Sequence, residues 1–136
     1  HRRLSHKLHF YGIRGNTLNW IEDFLRDRTQ QVVIDGEASS TAPVTSGVSQ
    51  GSVLGPILFL AFINDMPESV KSMSRLFADD SIIYREVKSL DNCQQLQEDL
   101  KALEDWEQKW GMLFNPSKCH IIHISRKKTP IKNRLR

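Results

Sequence analysis

Cysteine is scarce in this chain. Its two copies, Cys93 and Cys119, show neither the close pairing of a zinc site nor the dense spacing of a disulfide scaffold. A reducing setting is expected, with both thiols serving as small buried hydrophobes. Long apolar runs are missing too. The longest, Val53 to Ile63, is broken by Gly55-Pro56 and falls well short of the roughly 20 residues a bilayer span needs. No apolar segment backs the basic first residues, so no secretory leader is expected. Neither proline nor glycine is in excess, at 5 and 7 of 136 residues, which excludes a low-complexity chain. What is present is ordinary globular composition, 39% hydrophobic and 26% charged, in about one domain's length. The chain does not begin with Met, and His1-Arg2-Arg3-Leu4 reads as the middle of an element. A longer open reading frame is therefore expected.

The net charge of +3 is unevenly spread. Arg126, Lys127, Lys128, Lys132, Arg134 and Arg136 crowd the end, and Arg2, Arg3, Lys7 and Arg14 sit near the start. Basic ends suit phosphate contact, and a frayed, solvated tail over 126–136 is the competing expectation. Between Glu86 and Lys109 the balance turns acidic, as on a solvated helix face.

Periodicity orders the elements. Leu4, Leu8 and Tyr11 fit a short helix. Asn16 or Thr17 is placed to cap a second, burying Leu18, Ile21, Phe24 and Leu25. Gln30 to Ile34 reads as a strand ending at Asp35-Gly36, a two-residue turn signal, with the return strand at Ala42 to Thr45. Gly47, Gly51 and Gly55 then punctuate a loop that opens an apolar helix at Pro56, where a missing N–H costs nothing. That helix is expected to be buried on most sides. Such a loop is a fair place to receive a phosphate or sugar edge, and it is equally common as a plain connection. Ser89 or Asp91 caps the longest helix, whose Leu90, Cys93, Leu96, Leu100, Leu103, Trp106 and Trp110 form one stripe ending at Gly111. Asn115-Pro116-Ser117 makes a turn. Cys119 to Ser125 reads as a strand, with His120 and His123 on opposite faces and so no joint metal site.

One stretch carries chemistry. Leu76 to Ala78 and Ser81 to Tyr84 are strand-like runs flanking Asp79-Asp80, so the two acids read as a hairpin tip. A turn interrupts strict alternation and lets both carboxylates reach one small volume. At about 4 Å they repel by roughly 4 kcal/mol at an effective dielectric near 20, which implies a compensating cation. Hard oxygen donors without nearby His or Cys favour Mg²⁺ or Mn²⁺. An isolated Asp-Asp is more often a plain solvated turn. A small metal-binding domain of another kind has only this pair in its support.

Four blocks in order give the pair its context. These are Tyr11-Gly-Ile-Arg14 with Trp20 and Phe24-Leu25; Ser46-Gly-Val-Ser-Gln-Gly-Ser-Val-Leu-Gly-Pro56 through Ile63-Asn-Asp65; Phe77-Ala-Asp-Asp80; and Trp106, Trp110-Gly111 with Leu113-Phe-Asn-Pro-Ser-Lys118. Together they resemble the reverse transcriptase of non-LTR, jockey-like retrotransposons along nearly the whole chain. The resemblance implies an α+β polymerase palm, an antiparallel sheet backed by helices from Pro56 and Asp91, with part of the flanking helical and hairpin region. It implies RNA-directed DNA polymerisation with RNA template, DNA primer, deoxynucleoside triphosphates and Mg²⁺ (or Mn²⁺). Asp79 and Asp80 would be the metal ligands, and Phe77 would pack beside the primer end. Gln50 and Gly51 would lie against template and nucleotide, with Gly55 and Pro56 shaping the loop. Lys118 would neutralise or protonate the leaving group, and Arg126, Lys127 and Lys128 would contact nucleic acid. The family's first catalytic Asp belongs to a strand block upstream of His1, so this segment alone is expected to be inactive. The protein would work in the nucleus and cytoplasm, off the membrane, within a retrotransposon polyprotein. The alternative is a non-catalytic relic or nucleic-acid-binding protein that keeps the palm shape.

Overall fold

A computed structural model describes residues 1–126, an α+β chain that divides into two compact units, His1–Asn64 and the part from Asp65 onward. In the first unit, α1 (Arg2–Phe10) and α2 (Gly15–Leu25) pack their apolar faces together, and α1 packs on α3 (Leu54–Ile63). Leu4, Leu8, Ile21, Leu25 and Leu58 form the core, with Leu18, Phe24 and Val48 half-buried against it. Tyr11, expected inside, is exposed, because α1 ends at Phe10 and the chain turns away at Gly12. The α2 cap is Arg14 rather than Asn16 or Thr17, and no side chain bonds to that end.

Lys7 overturns its expected surface role. It is buried, and its Nζ donates to the Phe62 carbonyl oxygen at 2.6 Å and lies 4.7 Å from the Phe62 ring centre. Phe62 O is one of the last carbonyls of α3, at the negative end of its dipole. A cation buried there is satisfied at once by hydrogen bond, dipole and aromatic face.

Between these helices lies an exposed ribbon. β2 (Val33–Ile34) pairs with β3 (Glu37–Ala38) around Asp35-Gly36, whose φ of 52° and 87° match the doubly positive pattern of a tight hairpin turn. β1 (Thr29–Gln30) pairs with β4 (Ala42–Pro43), so the return strand begins at Glu37, ahead of the expected Ala42. The register shifts by one residue between the ladders, leaving Ser40 and Thr41 opposite Gln31, as in a β-bulge.

In the second unit, a 3₁₀ turn (Met66–Ser69) leads into β5 (Met73–Phe77), which pairs antiparallel with β6 (Asp80–Tyr84). Helix α4 (Leu90–Trp110) follows, opened by a Ser89–Asn92 capping box and closed by Gly111 at φ 65°. It buries Cys93, Leu103 and Trp106, whose indole N–H donates to Asp65 Oδ1 at 3.1 Å. Leu90 and Leu100 of the expected stripe are exposed, and Asp99 takes the buried place beside Leu100. Cys119 to Ser125 forms no strand. Its backbone enters no ladder among the described residues, and Cys119, Ile122 and Ile124 are exposed on both sides. Strand pairing therefore occurs as three two-stranded antiparallel ladders among the described residues.

Replacing Lys7 by Ala is expected to cost about 3 kcal/mol, from lost packing and the lost bond to the Phe62 carbonyl, in urea unfolding. The exposed Arg3→Ala change should stay within about 0.5 kcal/mol.

Candidate active site

The acidic hairpin closes with only two residues. Phe77 pairs with Asp80, so Ala78 and Asp79 are the turn and Asp80 is already the first residue of β6. The expectation that both acids form the tip is corrected accordingly: Asp79 crowns the turn, and Asp80 stands at the end of the ladder. Closing a ladder in two residues requires positive φ, and Ala78 supplies it at 51°, where Gly, Asn or Asp is usual. A non-glycine residue there costs roughly 1–2 kcal/mol, so backbone strain sits beside the acids.

Cross-strand partners share a face. Met73 with Tyr84, Arg75 with Ile82, and Phe77 with Asp80 therefore project together. All six are exposed, with Phe77 82% accessible, while Ser74, Leu76 and Ile83 on the opposite face are half-buried. Asp80 thus belongs to an open face made of apolar side chains and one guanidinium.

The base of the hairpin is held differently. Asp99 of α4 is buried, and its Oδ1 and Oδ2 accept from the backbone N–H groups of Lys71 (2.8 Å) and Ser72 (3.0 Å). Arg85, just past β6, donates from Nε to Ser72 Oγ at 2.8 Å. Burial raises the Asp99 pKa, but the Ser72 hydroxyl, the two backbone N–H groups and the Arg85 charge outweigh it. The carboxyl therefore titrates below its ordinary value. With the folded pKa depressed, Asp99 stabilises the fold above the ordinary carboxylate range and loses that contribution as pH falls through its folded pKa. No apolar periodicity pointed to this residue; its place between Leu96 and Leu103 was the available signal.

The glycine-rich loop lies in the first unit. Helix α3 begins at Leu54, two residues before Pro56, which still falls among the N–H groups without helical partners. Gly55 is required by contact: a Cβ there would stand 2.6 Å from the Ser49 carbonyl oxygen. Ser52 Oγ donates to that same oxygen at 2.7 Å and accepts from Gly55 N at 2.9 Å, fastening loop to helix. Gly51 is different, with φ 79° and open space where a side chain would go. Gln50 beside it is exposed. His1 Nε2 bonds Gly47 O at 2.8 Å, a loop contact the sequence did not signal. Ile57 and Leu60 of α3 are exposed, against the expectation of near-complete burial, because within this unit α1 covers one side of the helix.

Lys118 ends a 3₁₀ turn (Pro116–Lys118) capped by the Asn115 side chain, and it is exposed. Arg126 is exposed as well, while Lys127, Lys128 and the rest of the expected tail lie outside the described residues. Among the described residues, no three His, Cys, Asp or Glu side chains gather into a metal cluster. Asp79 and Asp80 fit a hard divalent cation in donor type, and they supply two carboxylates. No helix among the described residues is long and apolar enough to cross a membrane.

Comparison with known proteins gives the family of the chain. Residues 1–133 match the family described as reverse transcriptase (RNA-dependent DNA polymerase). The chain is 37% identical over 108 residues to the RNA-directed DNA polymerase from mobile element jockey of Drosophila melanogaster, covering 73% of this chain and 12% of that protein. It is 31% identical over 117 residues to the probable RNA-directed DNA polymerase from transposon X-element of the same fly, covering 81% and 13%. For the probable polymerase from transposon BS, also of that fly, the figures are 30% over 118 residues, 80% and 12%. No solved structure matches. The chain spans about an eighth of the length of these curated relatives.

The strained turn gives a sign test. Ala78→Gly should stabilise the chain by roughly 0.5 kcal/mol, relief at positive φ exceeding the entropy of glycine. The same change at Ala102 inside α4 should cost about 1 kcal/mol. Thermal unfolding of both variants checks the opposite signs.

Proposed function

Since the chain belongs to the reverse transcriptase family, we propose that it is the part of a non-LTR retrotransposon RNA-directed DNA polymerase that carries adjacent catalytic carboxylates and the nucleotide-side loop. The observation that carries this reading is the two-residue hairpin closure, with Asp79 on the turn and Asp80 on an open, partly aromatic face. The substrates would be an RNA template, a DNA primer and deoxynucleoside triphosphates. In the reaction the primer 3′-oxygen bonds to the α-phosphorus, the bond to pyrophosphate breaks, and the 3′-hydroxyl gives up its proton. A divalent cation bound by Asp79 and Asp80, Mg²⁺ or Mn²⁺, would supply Lewis-acid stabilisation of the phosphoryl oxygens.

The chain's own residues have separate tasks in this proposal. Phe77 shares its face with Asp80 and offers a flat apolar surface to the primer's terminal nucleotide. Open space over Gly51 leaves room for a base or sugar to approach the backbone, with Gln50 as a polar neighbour. Gly55 and Pro56 hold the loop against α3. Lys118 would offer an exposed ammonium to neutralise the departing pyrophosphate. Arg126, Lys127 and Lys128 add sequence-independent phosphate contacts. The remainder of the polyprotein would complete the site, with the protein acting in the nucleus and cytoplasm.

In a polymerase of the relatives' length carrying this chain, Asp79→Asn should reduce primer extension on RNA by about 10³-fold, or about 4 kcal/mol, with little change in folding. Gly51→Val should also abolish extension. The 136-residue chain alone, with its two carboxylates, should extend nothing. Robust synthesis by the Asn variant would reject Asp79 as the central ligand, and an inactive wild-type polymerase would favour a relic.

A further inference from the structure

The hairpin that carries the acids is gripped at one end. Asp99 lies midway along α4 at 2% exposure, on the stripe that otherwise buries Cys93, Leu103 and Trp106. A buried carboxylate is a costly occupant there, and an apolar side chain would serve plain packing better. What the carboxylate adds is direction. Its two oxygens take two successive backbone N–H groups, Lys71 and Ser72, immediately before β5 begins. Arg85, immediately after β6 ends, reaches the same two residues, through Nε to Ser72 Oγ at 2.8 Å and Nη2 to Lys71 O at 3.4 Å. Gln95, one helical turn earlier, also donates to Asp99 Oδ1 at 3.4 Å. Both strands of the hairpin thus converge on one carboxylate.

Beyond that point the strands are thinly supported, since one face is exposed and the other only half-buried. Five residues of strand make a lever of about 17 Å between clamp and turn. A pivot of about 5° at the base moves the tip by about 1.5 Å, and a misplacement near 1 Å is enough to cost about 100-fold in a reaction that depends on positioning. We propose that Asp99 is a positioning residue for the Asp79–Asp80 pair: by clamping Lys71-Ser72 and, through Ser72, Arg85, it fixes the hairpin's angle on α4 and so the place of both carboxylates. The proposal rests on the catalytic reading of that pair only for its effect on rate; the clamp itself is a property of the hairpin.

Two measurements separate these claims. In the 136-residue chain, Asp99→Asn should raise amide hydrogen exchange across β5 and β6 by about tenfold or more, leaving α1 and α2 unchanged. In a polymerase carrying the chain, the same variant should lower kcat per titrated active molecule by about tenfold or more, with nucleotide KM held within about twofold. Ser72→Ala removes the hydroxyl that Arg85 Nε and Asp99 share and keeps the backbone bonds to Asp99, so it should show a smaller effect of the same kind. It also serves if Asp99→Asn does not fold. Unchanged exchange in the hairpin would overturn the clamp. Raised exchange with kcat unchanged would reduce Asp99 to a structural residue and overturn its positioning role. A wild-type polymerase without activity would count against the catalytic reading alone, since hydrogen exchange still decides the clamp.

Discussion

Closing β5 onto β6 with two residues is the constraint from which the candidate site follows. The ladder ends at Phe77 and Asp80, so one carboxylate has to occupy the turn and the other has to begin a strand. Ala78 takes the positive φ that the closure demands. Of the two adjacent acids, Asp79 is thereby on the turn and Asp80 on a strand face. Strain at Ala78 acts against this arrangement, and it persists because pairing along the whole ladder over-determines it.

Support for the turn comes from α4. Among the polar ties of the second unit are the Trp106–Asp65 bond and the Asp99 cluster, and both join the helix to segments ahead of β5. The first unit relies on a more ordinary apolar core, with Lys7 closing the C-terminal end of α3. At the other end of that helix, Ser52 and Gly55 set the glycine-rich loop. The two features proposed to handle nucleotide thus rest on different supports, a hairpin hung from one helix and a loop seated on another.

Much of this was legible in the sequence where a local rule governs. The Asp35-Gly36 turn, the Ser89 cap, the Gly111 stop and the Asn115 turn all depend on residues within a few positions of one another. The hairpin was legible from its flanking apolar runs, though its turn was displaced by one residue, because nothing local marks Ala78 as tolerant of positive φ. Lys7 and Asp99 were missed for a common reason. A polar side chain goes inside only when distant groups satisfy it, here Phe62 and the Lys71-Ser72 backbone, and periodicity scores such residues as surface. Cys119 to Ser125 failed in the opposite sense: β-branched alternation describes a strand that needs a partner, and none of the described residues provides one. The roles proposed for Gln50, Gly51 and Lys118 come from the family resemblance, since spacing and composition do not point to them.

The central claim is that Asp79 and Asp80 form the cation-binding point of the chain, and it is tested most directly by adding Mn²⁺ to the isotopically labelled protein. Paramagnetic broadening should begin at the amides of Phe77 to Ser81 at roughly millimolar Mn²⁺, a loose affinity suited to two carboxylates. It should vanish in Asp79→Asn. Broadening centred instead on the acidic residues of α4, such as Glu104 and Asp105, or unchanged by that substitution, would contradict the account.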